Sequence, residues 1–173
     1  MEWGQGSLTD PALRPVSPQS LHITLAFLGY RPEEEIERIA EVVREQIGPA
    51  PWVELLDPVP KPARGRARLY ALPVLSPGAE ALQAGVEQGL AEEGFYEPEK
   101  RPFWPHVTVA RVRPEARGSR RPAVVAKPPG SIPDGPAEPR LAVRMTLYRS
   151  VLQPTGARYA PLAQVKLPGA GWQ

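Results

Sequence analysis

The chain has two histidines, His22 and His106, and each opens the same short pattern. His22-Ile23-Thr24-Leu25-Ala26 and His106-Val107-Thr108-Val109-Ala110 match in residue type position by position, 84 residues apart. In an extended strand, residues i and i+2 point to one face. Read this way, His22 and Thr24 are neighbours on one face, and Ile23 and Leu25 turn the other way into packing. The same parity puts Thr108 beside His106, with Val107 and Val109 behind. If the halves of the chain are related by a pseudo-twofold axis, the two His/Thr pairs converge on one cleft.

Two facing imidazoles suit phosphodiester cleavage. A free imidazole titrates near pH ~6.5, so one ring can be neutral while the other is protonated. The neutral ring takes a proton from water and the protonated ring gives one to the departing sugar oxygen, each transfer contributing typically about 10²–10⁴-fold. The threonine hydroxyls can donate hydrogen bonds to the non-bridging phosphate oxygens as charge develops there. A lone histidine on a strand is more often a hydrogen-bonded structural residue, and a single H-x-T is easily chance. Two copies with matching apolar flanks, using every histidine in the chain, favour the catalytic reading. A two-histidine zinc site is the rival. Zinc sites usually take three or four protein ligands, and this sequence offers no cysteine and no carboxylate at a matching offset.

The elements that must hold these motifs follow from the hydropathy pattern. Residues 21–28, LHITLAFL, form an apolar run with β-branched members and read as a strand ended by Gly29. Pro32 opens a helix whose first turn carries Glu33, Glu34 and Glu35, suited to its positive end. Ile36, Ile39, Ala40, Val43 and Ile47 recur at helical spacing, and Gly48-Pro49 stops the helix. Strands are expected at 52–59 and 66–75, a second helix at about 77–93 with Gly94 as its cap, and a strand at 105–112. Residues 113–140 are rich in Pro, Arg and Gly and read as a long exposed loop. Strands at about 141–151 and 158–167 close the chain as a hairpin turning through Pro154 and Gly156. The fold class is α+β with mostly antiparallel pairing.

A chain of 173 residues fits one domain with a real core. The first sixteen residues lack the basic start and apolar stretch of a signal peptide, and no run approaches the roughly 18 apolar residues of a membrane span. With no cysteine, disulfides, thiol nucleophiles and thiolate metal sites are excluded. The expected setting is the cytoplasm. Net charge is only +2, but much of the arginine lies in 101–121 and 140–158. Arginine grips phosphate with a planar fork of donors. On composition alone, a solvated basic surface explains this as well.

HITL at 22–25 and HVTV at 106–109 resemble the paired H-x-T-x motifs of the two-histidine (2H) phosphoesterase superfamily. SLHITLAFLGYRPEEE at 20–35, RPFWPHVTVARV at 101–112 and LYRSVLQPTGARYAPL at 147–162 are similar to the bacterial RNA 2′,3′-cyclic phosphodiesterases, also called LigT or 2′-5′ RNA ligases. The resemblance covers about residues 14–167. It implies two pseudo-symmetric lobes of antiparallel sheet with helices outside, and a central cleft lined by the two motif strands. It implies an enzyme that opens a terminal 2′,3′-cyclic phosphate on RNA and leaves a 2′-phosphate, with no cofactor and no metal. His22 is then the proton donor and His106 the proton acceptor, with Thr24 and Thr108 binding the phosphate. Arg111 stands where the family commonly keeps a basic residue. Strand parity puts it opposite His106, so a phosphate contact there requires a bulge or a strand end. Trp104 and Phe103 are candidates for stacking on a base. The expected partner is RNA with a cyclic phosphate end, tRNA halves or oligonucleotides among them, met by a monomer.

The family usually starts with an apolar strand and a helix before its first motif. Here MEWGQGSLTDPAL reads as a turn or a helix end, so the resemblance implies that this strand and helix are missing or shortened. Two other activities stay open beside the hydrolase: reversible 2′-5′ RNA ligation or cleavage of other 2′-5′ or cyclic nucleotides, and RNA-end binding with little catalysis.

Overall fold

The computed structural model describes residues 2–132, 138–153 and 156–169. In chain order its elements are helix α1 (Glu2–Ser7), β1 (Leu13–Pro15), α2 (Ile36–Glu45), β2 (Trp52–Leu55), β3 (Val59–Lys61), β4 (Leu69–Leu75), α3 (Pro77–Glu92), β5 (His106–Val112), β6 (Arg140–Leu141), β7 (Arg144–Gln153) and β8 (Gly156–Lys166). Short 3-10 turns occur at Pro18–Ser20 and Glu33–Glu35. The architecture is α+β and the strand pairs are antiparallel, as expected. Among the described residues no helix is long and apolar enough to cross a membrane.

The chain forms two compact units that interleave in sequence. The first comprises Met1–Ile23, Glu54–Leu75 and Trp104–Glu138; the second comprises Thr24–Val53, Ser76–Phe103 and Pro139–Gln173. In the first, β5 lies between β1 and β4, and β3 and the end of β2 pair with β4. One face of this sheet is apolar. Leu13, Tyr70, Leu72, Val109 and Ala110 are buried there, with Val107 and Val112 packed against them. β1 falls in a stretch where no strand is expected. Three residues containing Arg14 and Pro15 carry no hydropathy signal, and their pairing to β5 is what makes them a strand.

Asp10 holds the approach to β1. Its carboxylate accepts the Ala12 N–H at 2.8 Å and the Lys127 N–H at 2.7 Å, tying the N-terminal segment to the long loop. These bonds, the Lys127 one first, hold its pKa below the ordinary carboxylate value. A lowered folded-state value means stability that is present above the unfolded value and lost as pH falls through the folded one. Asp10→Asn is therefore expected to melt below wild type at pH 7. The gap should close as pH drops through about 4 and lower, the ordinary range of Asp. Thermal melts across pH check this, and a gap that does not change with pH refutes it.

The second unit contains both longer helices. α2 starts at Ile36, because Glu33–Glu35 form a 3-10 turn ahead of it. Ser76 caps α3, its side-chain oxygen accepting the Ala79 N–H at 3.2 Å. This is the preferred way to satisfy an orphan donor at a helix start. Gly94 follows the helix with φ +74°, a conformation that favours glycine. Ile39, Val42 and Val43 of α2 pack with Val86 and Leu90 of α3 and with Met145 and Val165 of the β7–β8 hairpin. The hairpin pairs Gln153 with Gly156. Gly156 begins β8, and the expected turn residue Pro154 lies outside the described residues.

Candidate active site

The second motif sits on β5 as expected. The first does not form a continuous strand. In the 21–28 run only Ile23 pairs, as an isolated antiparallel bridge to Val107. That one bridge brings the motifs together within the first unit. Antiparallel pairing of Ile23 with Val107 sets His22 beside Thr108, with His106 at the diagonal position. Diagonal cross-strand neighbours are roughly 7–8 Å apart. His22, His106 and Thr108 are all half-buried. Thr24 follows Ile23 directly, opens the second unit and is exposed.

Both rings are held by the same local hydrogen bond. His22 Nδ1 donates to the Ser20 carbonyl at 2.7 Å, and His106 Nδ1 donates to the Trp104 carbonyl at 2.8 Å. In each case the acceptor is two residues back. A carbonyl only accepts, so each Nδ1 must carry the hydrogen. Proton chemistry is left to Nε2 in both rings. In a neutral ring Nε2 is an acceptor, and in a protonated ring it is a donor.

Arg111 reaches the histidine face through a bulge. The β4–β5 register pairs Tyr70 with Ala110 but Ala71 with Thr108, so Val109 is an extra residue in β5. A bulge of this kind reverses the parity beyond it. Arg111 pairs with Leu69, Thr108 with Ala71 and His106 with Pro73. Leu69, Ala71 and Pro73 alternate along β4, so Arg111, Thr108 and His106 share a face. The apolar core lies on the other side, under Tyr70, Leu72, Val107 and Ala110.

Trp104 is engaged by the protein and does not present an open platform for a base. Its ring stacks on His106 with centroids 4.1 Å apart and planes 16° from parallel. The Lys61 ammonium lies 3.8 Å from the Trp104 ring centroid, a cation–π contact. Trp104 thus positions His106 twice, through its carbonyl and through its ring. The sequence placed no role on Lys61. It pairs with Leu69 in the β3–β4 register, so it too lies on the histidine face.

Residues 6–153 match the family described as the 2′-5′ RNA ligase superfamily. The chain belongs to that superfamily. It is 36% identical over 163 residues to an RNA 2′,3′-cyclic phosphodiesterase of Thermus thermophilus, covering 90% of this chain and 76% of that one. It is 28% identical over 162 residues to an RNA 2′,3′-cyclic phosphodiesterase of Escherichia coli, covering 94% and 84%. Among solved structures, TT0787 of Thermus thermophilus superposes with a TM-score of 0.77 at 29% identity, covering 98% of this chain and 90% of that one. Escherichia coli LigT complexed with 3′-AMP superposes with a TM-score of 0.69 at 27% identity, covering 96% and 88%. The α+β fold of this chain is therefore that of the superfamily.

Proposed function

We propose that this chain hydrolyses the terminal 2′,3′-cyclic phosphate of RNA to a 2′-phosphate, with His22 as proton donor and His106 as proton acceptor. The observation that best supports the reading is the shared tether, each histidine donating from Nδ1 to the carbonyl two residues back. It prepares two Nε2 atoms for complementary work. His106 Nε2 takes a proton from water as the water oxygen bonds to phosphorus. The bond from phosphorus to the 3′-oxygen breaks, and protonated His22 gives its Nε2 proton to that oxygen. One proton is gained and one lost, so the pair ends the turn with its roles exchanged and resets through solvent. Thr24, Thr108 and Arg111 hold the non-bridging oxygens, whose charge grows in the transition state. The reaction needs no cofactor or metal, and the protein works as one domain, a monomer in the cytoplasm. Its RNAs are cyclic-ended oligonucleotides or tRNA halves.

The family description favours a second reading, ligation. The same two groups in the same protonation states can join a cyclic end to a 5′-hydroxyl: His106 takes the hydroxyl proton as the 5′-oxygen bonds to phosphorus, the bond to the 3′-oxygen breaks, and His22 protonates that oxygen, leaving a 2′-5′ bond. Product mapping on a short cyclic-ended RNA in the presence of EDTA tests both. Undiminished turnover to a 2′-phosphate is expected. A 3′-phosphate product, or turnover that stops with EDTA, overturns the hydrolase reading, and tight binding of the end without turnover points to an RNA-end binder.

A further inference from the structure

The histidine face carries a cation that the reaction above does not use. Arg14 in β1 lies directly opposite Arg111 in β5. Directly opposed residues of an antiparallel pair share a face with Cβ atoms roughly 4.5–5.5 Å apart, and like charges placed so repel. Arg111 pairs on its other side with Leu69, and Leu69 with Lys61. Arg14, Arg111, Leu69 and Lys61 therefore form one row across four strands, on the face that carries His106 and Thr108. Because Val109 is an extra residue, the row lies two β4 positions from the Ala71–Thr108 pair, roughly 7 Å along the sheet.

Resting on the hydrolase reading, we infer that Arg14 takes the RNA phosphodiester next to the reacting cyclic phosphate, with Arg111 between the two phosphates. A second phosphate above the opposed guanidinium groups sets a negative charge over two positive ones. It also turns the row into a measure of chain length, since a cyclic mononucleotide has no second phosphate to offer. Arginine suits this position because its planar fork binds two phosphate oxygens at once.

The test compares wild type, R14A and R14K on a 2′,3′-cyclic mononucleotide and on a trinucleotide with the same end. For R14A, the loss in kcat/KM is expected to be about tenfold greater on the trinucleotide, as KM rises and a charge-assisted contact is lost. The slope of log kcat/KM against log salt should fall by about 0.7 for the trinucleotide, the share of one single-strand phosphate contact. R14K should keep that slope and recover only part of the KM, because it keeps the charge and loses the fork. Equal losses on the two substrates, in either variant that melts like wild type, overturn the inference. Fluorescence anisotropy with a trinucleotide bearing a 2′-phosphate end reports on Arg14 without turnover. If R14A loses salt slope there while wild type hydrolyses nothing, the subsite stands and the hydrolase reading falls. If product binding is the same in R14A and wild type, the subsite falls whatever the turnover.

Discussion

Replacing either histidine by alanine is expected to lower kcat on a cyclic-ended RNA by about 10²–10⁴-fold, the usual share of one positioned general acid or base. The two rings act in one step, so the double variant should be little worse than the worse single one, as groups that work as a unit are strongly non-additive. The fold should hardly notice. Each ring is half-buried, and the Nδ1 tether that each makes to the backbone is a contact worth roughly 0.5–1.5 kcal/mol. Asparagine separates the tether from the chemistry. Its amide nitrogen can occupy the place of Nδ1 and donate to the carbonyl of Ser20 or Trp104, but it has nothing at the place of Nε2. His106→Asn and His22→Asn should therefore melt like wild type and be as slow as the alanine variants. A mechanism with one neutral and one protonated ring also requires kcat/KM to fall on both the acid and the alkaline side, and each variant should lose one limb of that profile. Wild-type rates in both alanine variants would end the two-histidine mechanism. Rescue by asparagine would show that the rings serve only as struts.

The chemistry was more legible in the sequence than the geometry that delivers it. A repeated H-x-T can be recognised from residue types, because nothing but the residues themselves is needed to ask what two imidazoles and two hydroxyls could do. The strand read at 21–28 illustrates the limit. Its apolar pattern was real, but it reported burial and not pairing. Leu21 packs in the core of the first unit, and Leu25, Ala26 and Leu28 pack in the core of the second. Between them only Ile23 joins a ladder. Arg111 shows a different limit. Period-two alternation puts it opposite His106, and one extra residue at Val109 brings it back. That extra residue exists only in relation to Tyr70 and Ala71, some forty positions earlier, so no local window could reveal it. β1 was hidden for the same reason, since its partner β5 lies far along the chain. Trp104 was read as a stacking residue and does stack, but on the histidine two positions later.

The support beneath the site predicts the second large effect. Leu72 is 2% exposed and sits directly opposite Val107. Val107 is the residue between His106 and Thr108, turned to the apolar side, and it is also the partner of Ile23. Leu72 thus packs behind the residue through which both motifs are joined. Leu72→Ala is expected to cost about 2–5 kcal/mol, the transfer term plus the cavity left behind. For a chain of this size each kcal/mol shifts the melting temperature by roughly 2–4 °C, so a drop on the order of 10 °C is expected. Leu72→Met conserves volume and should cost less than about 1.5 kcal/mol. Leu72 faces away from the imidazoles, so the two losses should separate. The alanine variant should show a much lower melting temperature while keeping both limbs of its pH–rate profile at low temperature, whereas the histidine variants should do the reverse. If Leu72→Ala melts like wild type, this side chain is not the support of the bridge. If it keeps its stability and loses the rate, the site must reach through the sheet to the side where Leu72 lies, and the assignment of faces drawn from the β4–β5 register is wrong.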